Sequence, residues 1–115
     1  MFINDDADVI INNGTITGGY SNSEGGAICM EDGTATFNNV LFKNNQSMRS
    51  NGRGAAIYAL DSDIRMNDCT FDGNGIRDDE KSYHAADSTV YAEDCKVTVR
   101  KSTFINNGST VWQAG

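Results

Sequence analysis

Residues 26–45 read GAICMEDGTATFNNVLFKNN, and the same order of residue types recurs along the chain. In this segment Ile28, Phe42 and Asn45 mark three characteristic positions. The equivalent residues, 29 positions further on and then 33 beyond those, are Ile57, Phe71, Asn74, Val90, Phe104 and Asn107. The chain is therefore built from a repeated unit whose copies align without an internal gap.

Partial copies of the unit lie at both ends of the sequence. A shift of 26 residues back predicts a first copy in which Phe2 takes the position of Ile28. A shift of 21 residues beyond the third copy places Trp112 on Tyr91. The repeat therefore extends over the whole sequence.

Each unit contains three short runs in which apolar and polar residues alternate between Asn, Asp and Gly residues. Alternation with a period of two predicts strands, and three strands per unit without a helical period are typical of a solenoid coil. We predict an all-β fold, a single-stranded parallel β-helix of about four coils in one domain. The predicted coils are 1–26, 27–55, 56–88 and 89–109, with the start of a fifth at 110–115.

Stacked coils would place like residues in columns about 4.8 Å apart. One inward column is predicted to contain Phe2, Ile28, Ile57, Val90 and Val111, and a second to contain Ile16, Phe42, Phe71 and Phe104. Small residues share one position of the unit, where the cross-section of the coil is predicted to be narrow; they are Gly26, Ala55, Ser88 and Ser109. The asparagines predicted to form a hydrogen-bonded ladder are Asn45, Asn74 and Asn107.

The unit varies in length at one place, after the last strand of each coil. The connections there are residues 20–25, 46–54 and 75–87. Insertions at one corner predict loops on one side of the solenoid, where the residues are free to vary. The longest of these connections contains His84, the only histidine.

Composition limits the classes of partner. The 115 residues form one domain at most, and the net charge of −7 argues against nucleic acid and anionic membrane surfaces. No apolar run is long enough to span a membrane, and the first residues do not resemble a signal peptide, so we expect an intracellular protein or a processed piece of an exported one. The three cysteines lack metal-ligand spacing, and their spacing cannot establish a disulfide between Cys69 and Cys95.

Two short motifs carry a family resemblance. Residues 25–28, GGAI, followed by residues 42–45, FKNN, resemble the paired GGAI and FxxN motifs of polymorphic outer membrane protein repeats. These repeats occur in chlamydial surface adhesins and in other microbial adhesin-like proteins. FxxN recurs at 71–74 and 104–107, whereas GGAI becomes GAAI at 54–57 and DSTV at 87–90. The first unit departs further, with ITGG at 16–19 in place of FxxN. The resemblance implies a right-handed β-helix and a surface or adhesive role.

An acidic residue recurs at one corner of the predicted coils, at Asp6, Asp32, Asp61 and Asp94. Carboxylates stacked about 4.8 Å apart repel one another, so they either point into solvent or bind a hard cation. Aspartate also suits a tight turn because its side chain can hydrogen-bond to nearby backbone. The pattern therefore leaves two interpretations, turn formation and a weak calcium site; apart from this possible calcium, no cofactor is predicted.

A second candidate site is the outward column of the first strands. Alternation predicts that Ile3, Cys29, Tyr58, Tyr91 and Trp112 lie beside inward residues and face solvent. Aligned aromatic side chains on a flat sheet, here Tyr58, Tyr91 and Trp112, offer a binding strip for sugar rings or a protein. The alternative is that they stabilise the ladder or pack under the corner loops.

No catalytic constellation is predicted. Asp61 and Asp63 offer a carboxylate pair, but so does any acidic turn. Arg65 and Arg100 occupy different positions in the unit, and His84 has no indicated nucleophile. We therefore predict that the protein is not an enzyme, with a fragment of a carbohydrate-active β-helix enzyme as an alternative.

The sequence begins and stops within equivalent predicted strands and shows no capping segment at either end. Two explanations of the uncapped ends are open: the sequence is a piece of a longer β-helix, or it is a filament subunit whose copies stack head to tail. We predict an extracellular or cell-surface module with an adhesive or structural role. Its partners would be a surface protein or glycan, or other copies of itself through the coil ends.

Overall fold

The computed structural model describes residues 1–21, 25–47, 53–75 and 89–107, together with the backbone of residues 111–114. These parts of the chain contain strands and turns but no helix. The strands are β1 (Phe2–Asn4), β2 (Asp8–Asn12), β3 (Thr15–Thr17), β4 (Tyr20–Ser21), β5 (Ile28–Glu31), β6 (Thr34–Asn38), β7 (Leu41–Lys43), β8 (Gln46–Ser47), β9 (Ile57–Leu60), β10 (Asp63–Asn67), β11 (Thr70–Asp72), β12 (Val90–Glu93), β13 (Lys96–Arg100), β14 (Thr103–Ile105) and β15 (Val111–Ala114).

Every third or fourth strand along the chain pairs with its equivalent in the next coil. The first sheet has the order β1-β5-β9-β12-β15, the second β13-β10-β6-β2 and the third β14-β11-β7-β3. All neighbours within these sheets run parallel. The prediction of a parallel β-helix is confirmed. In the first two coils the structure adds a short fourth strand at the third corner, where β4 pairs with β8.

The registers between coils confirm most of the sequence alignment. In the first sheet Ile28 pairs with Ile57, Ile57 with Val90, and Val90 with Val111. The predicted shift of 26 residues between the first two coils holds in the second sheet, where Asp8 pairs with Thr34.

The same shift is wrong in the first sheet, where Phe2 pairs with Cys29 and Ile3 with Met30. Ile3 is therefore an inward residue with 2% of its surface exposed, whereas Phe2 is 60% exposed. The cause is one additional residue at the first corner, since Asp5, Asp6 and Ala7 separate the paired strands in the first coil where later coils have two residues. A slip of one residue reverses which side chains face the core.

The core lies on the axis of the coils and is formed by two inward columns from each of the first two sheets and one from the third. The rings of Phe42, Phe71 and Phe104 stack with centroids 4.5 Å apart and planes parallel within 2°. Phe37 packs edge-on against Phe42, with centroids 5.2 Å apart. Stacking of coils thus joins apolar faces that no single coil could bury by itself.

Left-handed backbone closes each corner between the sheets. The first corner has positive φ at Asp5, Asp6, Asp32, Asp61 and Asp94, and the second at Asn13, Asn39, Asp68 and Lys101. The third corner has it at Gly18, Asn44, Gly73 and Asn106. Asn, Asp and Gly enter this region more readily than other residues, so most of the turn residues seen in the sequence have this backbone role.

Candidate functional site

The FxxN motif forms a buried structural ladder at the third corner. Asn45 and Asn74 are fully buried. The side-chain oxygen of Asn74 accepts hydrogen bonds from the backbone N–H of Asn45 at 3.0 Å and from its amide at 2.9 Å. Asn107 accepts the same two bonds from Asn74 at 2.8 and 2.9 Å. These residues therefore connect neighbouring coils, as the asparagine pattern predicted.

A second asparagine ladder, which was missed in the sequence, lies on the outside of the second sheet. The amide of Asn67 donates to Asn38 at 2.8 Å, and the amide of Asn38 donates to Asn12 at 2.8 Å. The signal in the sequence was the Asn at the end of each of these strands, in register in three successive coils.

Small hydroxyl and thiol side chains form a further repeated contact at the first corner. Ser62 donates to the carbonyl of Leu60 at 2.7 Å and accepts from the Gly33 N–H at 3.2 Å. In the next coil, the Cys95 thiol donates to the Glu93 carbonyl at 3.2 Å and accepts from the Ser62 N–H at 3.4 Å. Cys95 thus takes the place of a serine in a structural ladder.

The second corner uses Cys69 and Ser102 in the same manner. The Cys69 N–H donates to the Ser102 hydroxyl at 3.1 Å, and the Cys69 thiol donates to the Phe37 carbonyl at 3.3 Å. Burial raises the pKa of the Cys69 thiol, as it does that of Cys95. Cys29, Cys69 and Cys95 form no disulfide with one another, so the disulfide that the spacing left open between Cys69 and Cys95 is absent.

The acidic corner forms an open cavity of about 260 Å³ on the surface of the first three coils. Asp6, Asp32 and Asp61 line it together with Asp63, whereas Asp94 does not. One oxygen of Asp63 is 3.3 Å from the Arg65 guanidinium, and the other is buried without a hydrogen-bond partner. The structure therefore brings three of the four predicted calcium ligands to one cavity.

The backbone gives these aspartates a structural reason to recur. Asp6, Asp32 and Asp61 all have left-handed φ, between 47° and 65°. Within the described residues, no group of three acidic, cysteine or histidine side chains is placed to hold a metal ion. Turn formation accounts for the recurrence, and calcium binding stays a prediction.

The outward column of the first sheet contains Phe2 instead of Ile3, together with Cys29, Tyr58 and Tyr91. The rings of Tyr58 and Tyr91 stack with centroids 5.3 Å apart. The backbone of Trp112 continues the register after Tyr91, while its side chain lies outside the described part. The aromatic alignment of the two tyrosines is thus present in the structure.

The exposure of this column is uneven, which corrects the prediction that Tyr91 faces solvent. Only 6% of Tyr91 is exposed, and the Arg53 guanidinium lies over its ring, 5.1 Å from the centroid. The Tyr91 hydroxyl contacts the Glu93 carboxylate at 3.2 Å. Desolvation, and then this hydrogen bond, raise the pKa of Tyr91. Phe2 and Tyr58 are more accessible than Tyr91.

Some predicted features lie outside the described residues. They are His84, the narrow-position serines Ser88 and Ser109, and most of the connections at the third corner. Among the described residues there is no helix long and apolar enough to cross a membrane.

The glycines of GGAI have a geometric role. Gly25 has a φ of +68°, and its equivalent Gly54 has a φ of +67°. A Cβ on Gly26 would clash with the backbone carbonyl oxygens of Gln46 and Ala55. Both family-like motifs therefore mark how a coil turns and stacks, and neither forms a ligand site by itself.

Comparison with protein families agrees with this geometry. The family described as "Right handed beta helix region" matches residues 1–115. The chain belongs to this right-handed β-helix family. The match supports the handedness and the β-helix part of the resemblance, without identifying polymorphic outer membrane protein repeats in particular. Comparisons with curated proteins and with solved structures gave no match.

Proposed function

We propose that this β-helix is a non-catalytic adhesive or structural module, at a cell surface or outside the cell, that presents the outward face of its first sheet to a protein or glycan. The observation that supports this proposal most directly is the in-register outward column of Phe2, Cys29, Tyr58 and Tyr91. Aromatic faces aligned on a rigid sheet suit the apolar faces of sugar rings and the aromatic-rich cores of protein interfaces.

The accessible part of the column is at the first three coils. Phe2 is 60% exposed and Tyr58 is partly exposed, whereas Tyr91 is buried beneath Arg53. The contact face therefore runs from Phe2 towards Tyr58, with Tyr91 holding Tyr58 in position from the neighbouring coil. The ladders and the phenylalanine stack supply the rigidity, since they connect each coil to the next.

A binding screen against immobilised glycans and extracellular proteins tests this proposal. We expect Phe2→Ser and Tyr58→Ser each to weaken binding of any ligand found. Ile10→Ser is the matched control, because Ile10 is 61% exposed on the outward face of the second sheet, away from the column. Trp112 is the only tryptophan, so its fluorescence gives an independent readout in solution.

Equal loss of binding in the Ile10 and Phe2 variants would contradict the assignment of the face. A ligand insensitive to both Phe2→Ser and Tyr58→Ser would also contradict it. The other predicted roles, a head-to-tail filament and a fragment of a carbohydrate-active enzyme, have no specific contact in the described residues to favour them.

A further inference from the structure

Two Asn-Gly pairs lie wholly within the described residues, at 13–14 and 74–75. An asparagine followed by glycine can react with its own backbone, because the nitrogen of the glycine can approach the side-chain carbonyl carbon without obstruction by a Cβ. The reaction needs a mobile amide and an available backbone N–H. The two pairs differ in both respects.

The pair Asn74-Gly75 is held by hydrogen bonds on every side. The Asn74 oxygen accepts two bonds from Asn45, and its amide nitrogen donates to Asn107 at 2.9 Å and to the Phe42 carbonyl at 3.0 Å. The Gly75 N–H donates to the Asn45 carbonyl at 2.8 Å. Asn74 is also fully buried. Neither the amide carbon nor the glycine nitrogen can move towards the other while the protein is folded.

The pair Asn13-Gly14 lies at the second corner of the first coil, where Asn13 is exposed. Within residues 1–21, 25–47, 53–75 and 89–107 its side chain has one hydrogen bond, which the oxygen accepts from the Asn39 amide at 3.0 Å. The Gly14 carbonyl accepts from the Leu41 N–H, but the Gly14 N–H donates no hydrogen bond within the described part of the chain. The attacking nitrogen is therefore available, and the amide can rotate after losing a single exposed contact.

We propose that Asn13 is a site of spontaneous deamidation in the folded protein. The Gly14 nitrogen loses its proton to hydroxide and bonds to the side-chain carbonyl carbon of Asn13. The bond from that carbon to the amide nitrogen then breaks while this nitrogen takes a proton from water, so that ammonia leaves and hydroxide is regenerated. Water opens the resulting cyclic imide at either of its carbonyls, which gives aspartate or isoaspartate at position 13. No oxidant or reductant takes part.

The fold would respond differently to the two products. Asp68 occupies the equivalent left-handed corner position in the third coil, so an aspartate at position 13 fits the turn and can still accept from Asn39. Isoaspartate adds a methylene group to the backbone. It would displace the Asn13 N–H from the Asn38 carbonyl and the Gly14 carbonyl from Leu41. Both products add a negative charge to the first coil.

Incubation of the folded protein in mildly alkaline buffer, followed by peptide mapping, tests the proposal. Deamidation adds about 1 Da to the modified peptide, and isoaspartate-specific methylation separates the two products. We expect this mass gain to accumulate at Asn13 while Asn74 stays unmodified in the same sample. In denaturant the hydrogen bonds of Asn74 are lost, so both sites should react.

Gly14→Ala is the matched variant. A Cβ at Gly14 would meet nothing within 4 Å, and its φ is outside the left-handed region, so we expect the same melting temperature and slower deamidation of Asn13. Asn39 is the control within the native chain, since it shares the corner geometry but precedes the buried Val40. Modification of Asn13 no faster than of Asn39 in folded protein, or an unchanged rate in Gly14→Ala, would overturn the proposal.

Discussion

At the scale of the residue, a left-handed backbone conformation explains more of this sequence than side-chain chemistry does. Asp32 and Asp61 looked like candidate cation ligands because they recur, but their φ values of 57° and 47° show that each closes a turn. Asn39 and Asn44 have φ values of 56° at the other two corners. The sequence showed where turn residues recur, but only the backbone showed which residue in each turn takes the unusual conformation.

Lys101 is the exception among these corner residues, with a φ of 50°. Lysine has no local hydrogen bond to offset the steric strain of this region, whereas asparagine tolerates it. We expect Lys101→Asn to increase the free energy of unfolding by about 1 kcal/mol, measured by denaturant titration. Lys101→Gln removes the same charge without the conformational preference and should give no such gain; equal stabilisation by both variants would attribute the effect to charge.

At the scale of the element, the strands are too short to be stable individually, and columns across the coils connect them. The strands of the third sheet have three residues each. β7, β11 and β14 each add a ring to the phenylalanine column and lead into the asparagine ladder, whereas β3 adds Ile16 to the same column. The sequence predicted both columns because their residues are identical in successive copies. It missed the thiol and hydroxyl ladders because the residue type changes from coil to coil, from Gly33 to Ser62 to Cys95 at the first corner and from Val40 to Cys69 to Ser102 at the second.

The buried and exposed asparagine ladders should differ in energy. Asn74→Ala would remove the acceptor of the Asn45 backbone N–H and of one N–H of the Asn45 side-chain amide, which keeps its bond to the Ile16 carbonyl. Unsatisfied buried groups cost about 1–3 kcal/mol each. We expect a loss of at least about 3 kcal/mol in the free energy of unfolding. Asn67→Ala, in the outer ladder, lets water replace the lost bond and should cost about 1 kcal/mol or less. Similar losses for both variants would show that burial does not determine the strength of these ladders.

At the scale of the whole molecule, stacking brings residues from distant parts of the sequence into common surfaces. The described chain has extents of 38 × 24 × 21 Å, and the acidic cavity combines residues from three coils. Parallel stacking places these like charges near one another whether or not a cation is present. The repulsion between neighbouring carboxylates is about 1 kcal/mol in water.

The stability of an Asp32→Asn variant separates turn formation from calcium binding. Asparagine keeps the left-handed turn and removes the middle charge of the column, so we expect the free energy of unfolding to rise by about 0.5–1 kcal/mol. We also expect the native melting temperature to be the same in millimolar calcium, in chelator and in sodium chloride of equal ionic strength. A rise specific to calcium that Asp32→Asn abolishes would instead establish the calcium site.

The sequence by itself determined the repeat, the parallel β-helix and the identity of most core columns. This was possible because equivalent positions of successive repeats contact one another when the coils stack, so the period of the sequence predicts which residues are neighbours. The tertiary structure decided the face of Phe2 and Ile3, since one additional residue at an acidic corner reverses the alternation that follows from spacing alone. It also decided that Arg53 covers Tyr91. The side chain of Asn74 is buried and hydrogen-bonded to the next coil, whereas that of Asn13 is exposed. Exposure and hydrogen bonding depend on neighbours that lie far away in the sequence, and the repeat pattern does not specify them.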